Sequence, residues 1–121
     1  MANVFKVITR DTMSATANTD EILYTVQGSK TLVILGMLIA NVHPSQVTAT
    51  VRLVSDTGSR GGSNNVTNGT SIIIKDAPIP VGSSLELMAG NKVVLETTDQ
   101  ITIDCSVADK LSGTLSIMEI T

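Results

Sequence analysis

The sequence predicts an all-β protein: an antiparallel β-sandwich, jelly-roll or immunoglobulin-like, with about eight or nine strands. Three observations predict it. Apolar and polar residues alternate with period two over most of the chain, and β-branched residues recur in those runs. Clusters of Gly, Asn, Asp and Ser separate the runs at the short intervals expected of turns. Helical periodicity is hard to find. At 121 residues the chain is long enough for one domain, residues 1–121, and too short for two comfortable ones.

The first strand is expected from Val4 to Thr9 and the second from Glu21 to Val26. The third, Thr31 to Val42 (TLVILGMLIANV), is apolar on both faces. That pattern predicts a central strand, covered on one side by the second sheet and on the other by another subunit. NVHPSQ follows as a turn, because Pro44 lacks the amide a ladder requires. His43, the only histidine, is read as a turn residue, since no second histidine completes a metal or triad arrangement.

The fourth strand, Gln46 to Ser55, has the clearest alternation. Val47, Ala49, Val51 and Leu53 share one face, while Thr48, Thr50 and Arg52 share the other, predicted to be wet. DTGSRGGSNNVTNGT, Asp56 to Thr70, is the most polar and Gly-rich stretch and reads as an extended hairpin tip. It supplies the candidate protein-contact residues Asp56, Ser59, Arg60, Asn64, Asn65 and Asn68. NVT and NGT within it match the glycosylation sequon, but without a secretion signal both are read as chance.

The remaining strands are expected at Thr70 to Ala77, Ser84 to Met88, Lys92 to Leu95, Gln100 to Val107 and Ser112 to Ile120. Turns are expected at Val81 to Ser83 and at Ala89 to Asn91. Leu85 and Leu87 should face the core, with Ile101, Ile103 and Cys105 closing the sheet. Cys105 is read as a buried, inert thiol, since nothing nearby in sequence is cationic.

Composition narrows the function classes. Hydrophobic residues make up 42% of the chain, but the only aromatics are Phe5 and Tyr24, so the core is aliphatic and oligomer contacts would help it. Eight basic residues are scattered singly against eleven acidic ones, which offers no phosphate-binding stripe, and no nucleic-acid partner is expected. GSRGG lacks the Lys-Ser/Thr ending and the strand-to-helix setting of a phosphate loop. The carboxylates form no facing pair with aromatic platforms beside it, as sugar hydrolysis would need. ETTD and the Asp56 loop could each supply oxygens to calcium, but neither has a calcium-loop spacing, and turn capping explains the same residues. No enzyme, cofactor or metal is therefore expected. The longest apolar stretch falls short of the ~20 residues a membrane helix needs. Without a signal leader, a soluble protein made in a cytoplasm is expected.

The chain resembles small virion structural proteins of tailed bacteriophages, of the marine phage and cyanophage type. The likeness is carried by the MANVFK start, by TLVILGMLIANV followed by QVTATVRLVSDTG, by IPVGSSLELMAGNKVVLETTDQITI and by the terminal SIMEIT. It spans nearly the whole chain, and its motifs are patterns of strand and turn. The resemblance implies a β-sandwich built in many copies into a virion assembled in the host cytoplasm. Its implied partners are the major capsid protein or other virion proteins, and copies of itself. The expected role is a capsid decoration or cement protein. A neck, tail or fibre-associated subunit is the alternative, followed by a carbohydrate- or receptor-binding module using the Gly-Ser-Asn loop.

Overall fold

In a computed structural model, described over residues 3–56, 69–88 and 92–120, the chain forms nine strands. They are β1 (Asn3–Met13), β2 (Glu21–Thr25), β3 (Thr31–Asn41), β4 (Val47–Ser55), β5 (Gly69–Ile79), β6 (Ser84–Leu87), β7 (Val93–Leu95), β8 (Gln100–Cys105) and β9 (Leu111–Ile120). Each coincides with a strand expected from the alternation.

All pairings are antiparallel, and they make two sheets. The first runs β1-β9-β3-β6, with β7 pairing farther along β3; the second runs β2-β8-β4-β5. β6 takes Met37 to Ala40 of β3 and β7 takes Leu32 to Ile34, so the two short strands lie end to end as one interrupted strand. Counted that way, the order is that of an eight-stranded jelly roll rather than an immunoglobulin sandwich.

Period two carries the core. Leu32, Ile34, Met37 and Ile39 of β3, with Leu111, Leu115 and Ile117 of β9, are buried between the sheets. They meet Val47, Ala49 and Val51 of β4 and Ile101, Ile103 and Cys105 of β8. Leu87 is buried and Leu85 half-buried against this cluster, as their alternation predicts. Each buried Val, Leu, Ile or Met among them contributes about 1.5–3 kcal/mol. Gly113 of β9, paired with Ile39, faces the core: a Cβ there would lie 3.4 Å from the Met13 sulfur and 3.7 Å from both Ile103 and Leu23.

Side-chain amides and carboxylates fasten the turns. Asn41 donates to the carbonyls of Ser45 and Ile79, both at 2.9 Å, and accepts the His43 amide at 2.8 Å, closing the NVHPSQ turn. The Val81 to Ser83 turn forms as expected, with Gly82 at φ 71° and the Ser83 amide donating to Pro80 O. The Ala89 to Asn91 turn lies outside the described residues.

The wet face expected of β4 needs correction. Thr50 is buried, and its hydroxyl accepts the Asp76 amide at 3.0 Å. Arg52 donates to Asp104 at 2.7 Å and also to Asp20, so this cation, read as isolated, bridges two carboxylates. β1 also runs four residues beyond its expected end, because Met13 reaches the core and Ser112 bonds back to Asp11 O at 2.9 Å.

Candidate functional site

The candidate contact loop is anchored at its base. Asp56 donates its amide to Asp99 Oδ1 at 2.7 Å, and its carbonyl accepts the Thr98 hydroxyl at 2.6 Å. Asp99 is buried and accepts the Glu96 amide through its other oxygen at 3.0 Å. The ETTDQ turn is thereby welded to the end of β4, which gives its acid the capping role expected of it. Thr98 is held at φ 73°, an uncommon conformation for a β-branched residue, with its hydroxyl engaged by the Asp56 carbonyl. Ser59, Arg60, Asn64, Asn65 and Asn68 lie outside the described residues.

A second constellation escaped the sequence reading, which treated its members as scattered charges. Glu119 is buried at the β9 end of the core and accepts three donors: Lys6 at 2.8 Å, Lys30 at 3.5 Å and the Tyr24 hydroxyl at 2.8 Å. Hydrogen bonding from Lys6, then Tyr24, holds the Glu119 carboxyl below its usual range. Burial, reinforced by Glu119, pushes Tyr24 up to about 12. The Tyr24–Glu119 bond ties the second sheet to the first, and Lys6 ties on β1. The available signal was parity, since Leu115, Ile117 and Glu119 alternate along one strand and place the carboxylate inward.

Cys105 is fully buried, and burial raises its thiol pKa, so it has the character of a core residue. Among the described residues, no cluster of three or more His, Cys, Asp or Glu could hold a metal ion. No helix among them is long and apolar enough to cross a membrane.

The outer face of the first sheet carries the distinctive surface. Paired residues in antiparallel strands project to the same side, so the register can be read across the sheet. Phe5 faces Met118, Met118 faces Val33 and Val33 faces Val94, a row of four apolar side chains crossing β1, β9, β3 and β7. Phe5 is 71% exposed and Val94 58%. Val7, 60% exposed, and Leu38, 41% exposed, extend this face. Next to the row, Gly36 opens a notch of about 360 Å³ lined by Leu38, Glu86, Thr114 and Ser116. Glu86 is the only charge at the outward strand positions that this register defines. This surface can bury apolar area against a partner and offers no reactive group. Among the described residues, only one side of TLVILGMLIANV is covered by the other sheet.

No protein-family model matches the chain, and no curated protein matches it. A solved structure of Bacillus endospore appendages, which form a novel family of disulfide-linked pili, is similar at 18% identity and a TM-score of 0.49, over 98% of this chain and 88% of that one.

Proposed function

We propose that the chain is a non-enzymatic structural subunit of a bacteriophage particle: a capsid decoration protein that attaches to the major capsid protein and stabilises the head. The observation that carries the assembly reading is the Phe5–Met118–Val33–Val94 row, exposed at both ends on a face where Glu86 is the only charge at the outward positions the described register defines. Large contiguous apolar patches on a small domain mark interaction surfaces. The phage head as the place of assembly rests on the resemblance of MANVFK, TLVILGMLIANV and the other quoted stretches. The jelly roll by itself does not choose, because capsid, lectin and cupin domains share it. A sugar-binding role is disfavoured because Tyr24 is engaged by Glu119, leaving Phe5 as the single free ring.

A typical specific interface buries ~1,600 Å², and repetition on a lattice multiplies weak contacts. Val94→Asp places a carboxylate within the row without disturbing the core, since Val94 is mostly exposed. Its thermal unfolding should match that of the parent protein, and its binding to heads stripped of the protein should be lost. Undiminished binding would remove this face from the contact.

A further inference from the structure

Among the described residues the two sheets have four edges, and they are not equally protected. β2 is five residues long with a break in register, and β6 and β7 have four and three residues. β5 is long, but its ladder is interrupted twice, Asp76 sits at φ 48°, and Pro78 withholds an amide. Shortness, bulges and proline are the usual devices that stop an edge from recruiting another strand. β1 has none of them from Asn3 to Arg10, where its register with β9 is unbroken. Among the described residues it pairs only with β9.

Charge is the remaining deterrent, inward-pointing charge included, and here both inward cations of the segment are already neutralised by acids of this chain. Lys6 is held by Glu119 and Arg10 by Glu21. The rest of the segment is apolar or uncharged, with Val4 41% exposed on the inward side and Phe5 and Val7 more exposed on the other. Among the described residues β1 therefore has one free edge, with its outer face exposed and its inward face open at Val4 and closed from Ile8 onward, where Ile8 packs on the core and Arg10 reaches β2.

We infer that a second copy of this chain pairs with that edge, β1 antiparallel to β1, about a two-fold axis at Val7. The free backbone amides and carbonyls call for a strand, and the charge pattern selects the register. An axis perpendicular to the sheet keeps each outer face on the same side, so it must pass through a residue paired with its own copy. Centring on Lys6 sets Lys6 against Lys6, and centring on Ile8 sets Lys6 against Arg10. Like charges directly opposite are destabilising. Centring on Phe5 confines the ladder to Asn3–Val7, and centring on Thr9 runs it into the register break between Arg10 and Met13. Centred on Val7, the ladder stays within the unbroken segment from Val4 to Arg10, with Lys6 facing the second copy's Ile8 and Arg10 facing its Val4. Val7 meets Val7, with each Phe5 diagonal to the opposing Val7. The first sheets of two copies become one continuous sheet, and their apolar rows become one surface.

This deepens the assembly reading and is independent of where in a particle the pair sits. In sedimentation equilibrium, the parent protein should show twice its chain mass of 12.7 kDa. Val7→Lys and Val7→Glu should each halve the observed mass, and their equimolar mixture should restore it. A parent monomer, a dimer that survives both variants, or a mixture that does not reassociate would overturn the pairing. Val7→Cys tests the same register without introducing charge: oxidation should give a covalent dimer, while Val94→Cys should not. Absence of the Val7→Cys dimer would overturn the proposal even if the charged variants misfold. The buried Cys105 supplies little background. Dimers absent from phage particles would leave the pairing standing and defeat the particle reading, whereas monomers built into heads would do the reverse.

Discussion

Glu119 shows how a single side chain can join both sheets and an edge strand. A buried carboxylate is costly unless its charge is matched, and Lys6, Lys30 and Tyr24 supply that match. Tyr24→Phe should therefore cost about 1.5–3 kcal/mol, the range for a hydrogen bond to a charged group, measured by urea unfolding at neutral pH. The pH dependence has a definite sign on each side. Glu119 is held below its unfolded value of 4.5, so its contribution is full above that value and is lost as pH falls through the lowered folded one. Tyr24 is raised from 10.0 to about 12, so its contribution is full below pH 10.0 and is lost as pH rises toward 12. Tyr24→Phe should lack the tyrosine's alkaline loss and, with Glu119 less depressed, show a smaller acid loss that is complete at a higher pH. Identical acid and alkaline profiles in the two proteins would deny Tyr24 this role. The inward parity of Glu119 could be read from SIMEIT, but its three donors come from β1, from β2 and from the turn before β3. Their convergence is a property of tertiary pairing.

At the scale of elements, period two located every strand, because one face of each is pressed against the core while the chain turns at Gly, Asn, Asp and Ser. The differences arose where long-range partners override local pattern. RDTM reads as the start of a loop, yet it continues β1 because Arg10 finds Glu21 and Met13 fills the core. Thr50 and Arg52 read as wetted, yet Asp76, Asp104 and Asp20 occupy their polar groups. Of the candidate loop residues only Asp56 has a described position, and its anchoring by Asp99 carries no local signature, since the two residues lie on separate hairpins. At Gly113 the core leaves room for a Cβ but not for a branched side chain. Gly113→Val forces branched volume toward Met13, Ile103 and Leu23 and should destabilise by about 1–3 kcal/mol in thermal or urea unfolding. A variant of parental stability would mean that the layers separate freely at this point.

For the whole molecule, β-sandwich architecture was legible from composition and periodicity, but strand order was not. Which strands become neighbours depends on pairings between distant segments, and β1 with β9 joins the two ends of the sequence. The order that results leaves the first sheet with an apolar outer row and an open β1 edge. Those two surfaces suit a subunit that contacts a shell through a face and its own copy through an edge. The most direct test of the proposed decoration role is the amount of this chain relative to the major capsid protein in purified particles of a phage whose genome carries the sequence, measured by quantitative mass spectrometry. Decoration of the head predicts a copy number of the same order as the capsid protein; absence from the particle, or only a few copies, would contradict it.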